Sequence, residues 1–550
     1  MTDFADVHDA PNSSDLGVLQ TLAEDLAALD YTVEGVRALL GEEAHRALDR
    51  DQLIPALLAS ADDDGGLAAA VRLWLLAEPV SPAAVAAAFP STGLDSLRFL
   101  GLIEDDPSGA VRAAVDLRPY GWAAERDGSG DVELWIASDL GAHQRTGVLR
   151  RDHVLGIGQA SLTLAQSTVR RPVERALDLG TGCGIQTFHL LSHARHVVAT
   201  DISARALAFS RFNLLLNAPQ LGIERDNLAV RVELRLGSLL EPVAGEKFDL
   251  VVSNPPFVIT PRNSTETAGD QFTYRDGGLA GDEIVAALVH GLPSVLAPGG
   301  TAQLLGNWEI QGAGSAEAAG SWSLRPESWL RSTADAWFIQ REVLEPGQYA
   351  ETWLQDASEG RDRNLYAASY REYLQDFASR AVTGIGFGMI WLRAVPAGAA
   401  PFIRRFEEIP HPIEQPIGPH LGQQVERADW LAALDRDAGT LDGLAGEHLV
   451  VAGDVTEERH QRPGAEHPGV ILLRQGAGLR RTTLLSTELA GFASACDGDL
   501  SVGQIIGALA ALLNRDDGAD GSRNFTVQLL HDVRNLVLDG FLLPAEIASR

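Results

Sequence analysis

The chain has 550 residues, with 75 acidic and 44 basic side chains and a formal charge of −31 at pH 7. At roughly 150 residues per domain this is three or four domains, and 45% hydrophobic content excludes a disordered or fibrous chain. The acidity excludes a general nucleic-acid coat or a tight binder of anionic membranes, although a local basic site stays open. Residues 1–60 read as an acidic helical segment. Asp15 precedes an apolar-periodic run through Leu19, Leu22, Leu26 and Leu29, and a second run passes through Val36, Leu39 and Leu40. The polar break at 61–66 opens a second region, 61–144, with helices expected near 67–77, from Ser81-Pro82, and near 94–102. Strands at 111–117 and 132–137 follow, separated by a polar loop at 126–130. Three short helices and a hairpin are the order of a winged helix. A DNA reader carries basic residues on its third helix, whereas this one offers Arg98 and then Glu104, Asp105 and Asp106. A structural or protein-docking role is the expectation.

Residues 145–400 alternate strands and helices, the pattern of a parallel α/β sheet. Strand-length apolar runs lie at 176–179, 197–200, 231–236, 250–253 and 301–305. Two more are expected at 336–343 and 385–392, with a helical insert at 349–380 between them. Residues 401–445 read as a linker, proline-rich over 401–418. Residues 446–550 read as a C-terminal winged-helix-like module, with strands at 449–452, 470–473 and 479–485 and helices at 488–496, 502–513 and 527–538. This last pattern loosely resembles the peptide-binding PqqD-like domains.

Two motifs carry chemistry. The first is Ala176-Leu-Asp-Leu-Gly-Thr-Gly-Cys-Gly184, a buried strand delivering glycines 180, 182 and 184, where a ligand can approach the backbone. Seventeen residues on, the next strand ends in Asp201, placed to accept hydrogen bonds from ribose hydroxyls. Dinucleotide-binding enzymes share this geometry. Asp178 favours another ligand, because its carboxylate suits a cationic amino-acid portion and disfavours a pyrophosphate. The second motif is Ser253-Asn254-Pro255-Pro256-Phe257, directly after the fourth strand and facing the glycine loop at the carboxyl ends of the sheet. Exocyclic amines and carboxamides are poor nucleophiles, since their lone pairs are delocalised. The Asn254 side-chain oxygen and the Pro255 carbonyl can each accept one N–H of such a group, holding its nitrogen in line with an electrophile. The prolines stiffen the segment, and Phe257 offers a face to a planar substrate.

The two motifs resemble the class I S-adenosylmethionine-dependent N-methyltransferases with an Asn-Pro-Pro-aromatic signature, which include HemK-type glutamine methyltransferases and adenine- and guanine-N methylases. The resemblance covers 170–310 firmly and 145–395 loosely. It implies a Rossmann-like α/β sheet, here flanked by an N-terminal helical and winged-helix-like region and a C-terminal winged-helix-like module. It also implies S-adenosylmethionine as cofactor, with contacts from Asp178, Gly180, Thr181, Gly182, Gly184, Asp201, Ile202, Ser238, Leu239 and Asn254. Asn254, Pro255, Pro256 and Phe257 then hold the target nitrogen. One departure stands out: an acidic adenine contact common after the third strand is replaced by Gly237-Ser238-Leu239. The expected substrate is a macromolecule, with a lean to a protein glutamine. Alternatives are an RNA or DNA base (adenine N6 or guanine N2), or a non-catalytic protein that only senses the cofactor.

Secondary features complete the reading. Residues 154–161 lie where related enzymes close over the cofactor, and 262–281, with Tyr274, Arg275 and Asp276, suit a substrate lid. Cys183 reads as a packing residue, and Trp308, Trp322, Trp329, Trp337 and Trp353 as aromatic core. His189, His193 and His196 lack metal-ligand spacing, and no metal is expected. Arg145, Arg150, Arg151, Arg170, Arg171 and Arg175 face only Asp152 and Glu174, a local excess of positive charge beside the catalytic segment. Cys183 and Cys496 are too few for a disulfide framework, the acidic N-terminus does not read as a signal peptide, and no apolar run reaches the ~18 residues of a membrane span. A cytoplasmic protein is expected.

Overall fold

The computed structural model describes residues 3–122, 131–145, 149–262, 277–312, 322–356, 363–396, 398–438, 442–514 and 519–548. The chain divides into two compact units, one of residues 1–165 and 171–400 and the other of 166–170 and 401–550. The first unit opens with α1 (Leu16–Ala28), α2 (Val33–Leu48) and α3 (Ile54–Ser60). The Asp15 side chain caps α1 by accepting from the Gly17 and Val18 amides, and Leu19, Leu22 and Leu26 form its buried stripe. Next come α4 (Gly66–Ala70), which runs on as a π-helical turn, α5 (Pro82–Ala88) capped by Ser81, and α6 (Gly93–Phe99).

The strand expected at 111–117 is split between two ribbons. β1 (Ile103–Asp105) pairs with β2 (Val111–Ala113), and β3 (Asp116–Trp122) pairs with β4 (Val132–Ser138). The Asp106–Gly109 turn, with Gly109 at a left-handed φ of +87°, folds β2 back on β1. The Ala114 amide still donates to the Leu102 carbonyl at 3.0 Å, so this ribbon takes the chain to residue 114, and only from Asp116 does it pair with β4. Arg98 of α6 is held by Asp95 and Asp105, so its guanidinium is occupied within the fold.

The central layer follows as α7 (Gln159–Ser167), β5 (Val173–Leu179), α8 (Ile185–Leu191), β6 (Ala194–Asp201), α9 (Ala204–Leu216), β7 (Val232–Leu236) and β8 (Phe248–Ser253). After these come α10 (Glu283–Gly291), β9 (Leu296–Gln311), α11 (Leu324–Trp329), β10 (Ala334–Leu344), α12 (Pro346–Asp356), α13 (Arg363–Ser379) and β11 (Val382–Ala394). Their strands run in the order β10-β11-β9-β8-β5-β6-β7. β9, β8, β5, β6 and β7 are parallel, while β11 is antiparallel to both neighbours. β5, β6 and β8 each bury four consecutive residues near their carboxyl ends, as strands covered on both faces do. From β5 the chain moves outward to β6 and β7, then returns to β8 on the opposite side. A sheet of this kind binds ligands at that reversal, outside the carboxyl ends of β5 and β8.

β9 is far longer than its expected five residues. Its last pair with β8 is Leu304 with Ser253, yet it continues to Gln311 paired with β11. An antiparallel wall of β9, β11 and β10 therefore extends past the end of β8. Trp308 and Trp337 are buried in it and Trp329 is buried at the end of α11, in agreement with the aromatic-core reading, whereas Trp322 and Trp353 of the same reading are only half-buried.

The second unit contains β12 (Arg404–Glu408), α14 (Gly418–Ala438), α15 (Asp442–Ala445), β13 (His448–Val451), β14 (Val455–His460), β15 (Val470–Gln475) and β16 (Thr482–Leu485). It continues with α16 (Thr487–Ser494), β17 (Asp497–Ser501), α17 (Val502–Leu512), α18 (Ala519–Asp539), β18 (Leu542–Pro544) and α19 (Ala545–Ala548). Two antiparallel three-stranded sheets, β17-β13-β18 and β14-β15-β16, join a helical core that buries Phe492, Val533, Val537 and Phe541. The linker expected at 401–445 is corrected here, because α14 fills 21 of those residues. Its buried side is Leu421, Gln424, Arg427, Ala428 and Leu431, and the two polar members erase the apolar periodicity that marks a helix.

Candidate active site

Gly180, Gly182 and Gly184 all have left-handed φ angles, of +78°, +56° and +101°. They do different things. A Cβ on Gly180 or Gly182 would meet no atom within 4 Å, so both present bare backbone to open space. A Cβ on Gly184 would fall 2.9 Å from Phe188 Cζ and 3.2 Å from Ser210 Oγ, which makes Gly184 a packing position under α8. The loop is tied to β6, since the Gly180 and Thr181 amides both donate to the Thr200 carbonyl at 2.9 Å. Asp201 latches it again: Oδ2 accepts from the Gly182 amide at 3.0 Å and Oδ1 from the Ser203 amide at 2.8 Å. Burial raises the Asp201 carboxyl above its ordinary range. Ile202 beside it is 61% exposed, an apolar side chain held out at the lip of the crevice. The Gly237 amide donates to the Asp201 carbonyl at 3.0 Å, which brings half-buried Ser238 and Leu239 alongside. Leu239 has a φ of +48°, a strained conformation for a branched side chain.

Asp178 lies fully buried below the loop. Its Oδ2 accepts from the hydroxyls of Thr181 and Thr187, each at 2.7 Å, while its Oδ1 is sealed from solvent with no donor among the described residues. The Thr181 hydroxyl, expected at the cofactor, is thus committed to Asp178. Burial pushes the Asp178 carboxyl up to about 6, against the two threonine hydroxyls that pull it down. A buried carboxylate with an orphaned oxygen fits the cationic amino-acid portion of S-adenosylmethionine. Cys183 is buried, its thiol pushed up to about 12 by desolvation, in keeping with a packing role.

Across the crevice, Ser253 Oγ donates to the Leu179 carbonyl at 2.7 Å and clamps the end of β8 to the end of β5. Asn254 therefore starts opposite Gly180. Its side-chain oxygen Oδ1 is buried and accepts no hydrogen bond among the described residues. Pro255 is buried, and Pro256 and Phe257 are half-buried. Two residues not singled out from the sequence hold this segment. The Tyr349 hydroxyl of α12, wholly buried, accepts from the Ile259 amide at 2.8 Å and from Asn307 Nδ2 at 3.0 Å. Asn307 sits on the part of β9 that extends past β8. The only sequence signal for either was the insert that begins at Tyr349.

The upstream segment is anchored too. The Val154 amide donates to Asp139 Oδ2 at 2.8 Å, and Gln186 Nε2 of α8 donates to the Ser161 carbonyl at 2.8 Å. Of the lid expected at 262–281, residues 263–276, including Tyr274, Arg275 and Asp276, lie outside the described residues. Part of the arginine excess of 145–175 is spent inside the fold. Arg150 pairs with Asp9 and Asp152, Arg175 pairs with Glu246, and Arg171 donates to the Asp249 carbonyl.

Comparison with known proteins agrees with this geometry. Residues 143–279 match the family described as methyltransferase small domain, and residues 28–114 match a domain of unknown function (DUF7059). The chain is 37% identical over 129 residues to a release factor glutamine methyltransferase of Moorella thermoacetica, across 22% of this chain and 42% of that protein. It is 30% identical over 159 residues to a ribosomal protein uL3 glutamine methyltransferase of Bradyrhizobium diazoefficiens, across 28% and 46%. It is 35% identical over 122 residues to a ribosomal RNA small subunit methyltransferase C of Idiomarina loihiensis, across 22% and 32%. The chain thus spans less than half the length of each of these three relatives. Residues 143–279, with a glycine loop on β5 and an Asn-Pro-Pro-Phe segment after β8, are a class I S-adenosylmethionine-dependent methyltransferase domain.

Proposed function

We infer that this protein transfers a methyl group from S-adenosylmethionine to a planar nitrogen, the side-chain amide of a protein glutamine. The observation that carries the reading is Asn254 Oδ1, a buried acceptor without a donor at the reversal point of the sheet. Leaving such an atom unpaired costs about 1–3 kcal/mol, which a substrate N–H would recover. When bound, the cofactor supplies an electrophilic methyl group. Asp178 Oδ1 faces its cationic end, Gly180 and Gly182 admit its close approach, and the remaining lone pairs of Asp201 serve its ribose. Ile202 and Leu239 offer apolar surface to the adenine, and Ser238 one hydrogen bond. Asn254 Oδ1 and the Pro255 carbonyl each take one N–H of the carboxamide. This favours a pyramidal nitrogen with its lone pair directed along the transfer axis. Phe257 packs on the flat face of the substrate.

Glutamine as target is supported by the relatives named for that activity. In this reading the regions 1–60, 61–144 and 446–550 are docking modules for a macromolecular substrate, 145–400 is the catalytic region, and the protein works in the cytoplasm. A nucleic-acid base is the second reading, favoured by the ribosomal RNA relative. Labelling a lysate with tritiated S-adenosylmethionine and the purified protein decides between them. Label removed by protease and resistant to nuclease is the expected outcome, and the reverse sinks the glutamine assignment. Asn254→Ala should lower the labelling by about 10²–10³-fold and leave S-adenosylhomocysteine binding within a few-fold. Full labelling by that variant would remove Asn254 from the mechanism.

A further inference from the structure

The second unit gathers three arginines and two carboxylates into one partly buried cluster. Arg405 and Glu407 lie two apart on β12 and so share a face, Arg481 precedes β16, and Asp539 closes α18. Glu407 accepts from Arg481 at 2.8 and 3.1 Å and from Arg405 at 2.9 Å. Asp539 Oδ1 accepts from Arg405 at 2.6 Å, and the Asp539 carbonyl accepts from Arg481 at 3.1 Å. Burial alone would raise the Glu407 carboxyl, but Arg481 and Arg405 hold it down at about 2. Two arginines thus engage the two carboxylates.

A third guanidinium enters the same cluster. Arg427 of α14 is 8% exposed, its Nε is sealed from solvent with no acceptor, and it forms no ion pair among the described residues. Its neighbour in sequence, Glu426, is exposed. Burial first, then the like charge of Arg481, lower the Arg427 guanidinium to about 10, so it is still a cation at neutral pH. The group lies over Gly540, the turn after α18, where φ is +84° and a Cβ would stand 2.6 Å from Nη2. Two buried arginines, Arg427 and Arg481, and the half-buried Arg405 thus stand against two half-buried carboxylates, and the buried Nε of Arg427 is left without an acceptor. An unsatisfied buried donor of this kind is a site where an ion can bind.

We propose that Arg427, whose guanidinium packs on the turn at Gly540, anchors an oxyanion-binding site in the second unit and takes the phosphate or carboxylate group of a ligand. The ligand supplies the missing negative charge and the acceptor oxygens that the planar guanidinium fork is shaped to meet. This site is separate from the methyltransferase crevice and does not depend on the activity assigned there.

Calorimetric titration of the full chain with sodium phosphate, and separately with sodium acetate, at fixed ionic strength with chloride as blank tests it. Saturable heat in the wild type, absent in Arg427→Met, is expected. Saturation by phosphate alone assigns a phosphoryl ligand, and saturation by acetate as well assigns a carboxylate. Arg427→Lys keeps the charge without the fork and should bind at least tenfold more weakly. In chloride, Arg427→Met should unfold at or above the wild-type temperature, because an unpaired buried charge has been removed. The proposal falls if neither anion gives saturable heat, if Arg427→Met or Arg427→Lys binds as the wild type does, or if Arg427→Met unfolds well below the wild type in chloride.

Discussion

Asp178 has an ordinary carboxyl value of 3.8 and a buried value of about 6. The folded protein therefore holds this proton more tightly than the unfolded chain does. The stabilisation this group gives is complete below pH 4 and is lost as pH rises through 6. At about 1.4 kcal/mol per unit, the loss above pH 6 is about 3 kcal/mol. Denaturant titrations without cofactor should show this decline between pH 4 and 6 as the difference between the wild-type and Asp178→Asn curves, since Asp201, whose carboxyl burial also raises, contributes to both. A cationic ligand reverses the preference, so S-adenosylmethionine should bind more tightly at pH 7 than at pH 5, and only in the wild type. Parallel curves for the two proteins would show that Asp178 keeps its proton for another reason. The glycines separate in the same way. Gly184→Ala drives a methyl group into Phe188 and should destabilise the fold by about 1–3 kcal/mol. Gly182→Ala meets no neighbour and is strained only through its left-handed φ, at about 1 kcal/mol. Comparing their denaturation midpoints measures the difference.

The elements that carry these residues were largely legible in the sequence. β5, β6 and β8 are buried on both faces and read as plain apolar runs, and the glycine loop and Asn-Pro-Pro-Phe segment sit at their ends as expected. What escaped depends on neighbours distant in the chain. The extension of β9 past β8 is set by its pairing with β11, and α14 hides its period because Gln424 and Arg427 occupy its buried face. Tyr349 and Asn307 escaped for the same reason, since 42 residues separate two groups that meet at one hydroxyl. Their junction suggests that the insert α12–α13 is a brace for the catalytic segment. Tyr349→Phe removes the acceptor from the buried Ile259 amide and should cost about 1–3 kcal/mol of stability. If the brace positions Asn254, kcat should fall while S-adenosylhomocysteine affinity stays within twofold. An equal loss of both would reduce Tyr349 to a fold-stabilising residue.

At the scale of the whole molecule, the charge of −31 is unevenly shared: −16 over residues 1–150, −6 over 151–400 and −9 over 401–550. The catalytic region is the least acidic part, and two of the arginines at its entry, Arg150 and Arg175, pair with carboxylates within the fold. The two compact units also bury separate cores, the second around Phe492, Val533 and Phe541. Separate cores predict separate unfolding transitions in scanning calorimetry of the full chain. A ligand that binds one folded unit stabilises that unit by mass action, by about 2.7 kcal/mol at a hundredfold excess over its Kd. S-adenosylhomocysteine should raise the transition of the larger unit and leave the other in place. Asp201→Ala, which unlatches Gly182 and removes the expected ribose contact, should abolish that shift. One transition moving as a whole would mean that the units unfold together. A shift confined to the smaller transition would place the cofactor outside the β5–β8 crevice and overturn the site.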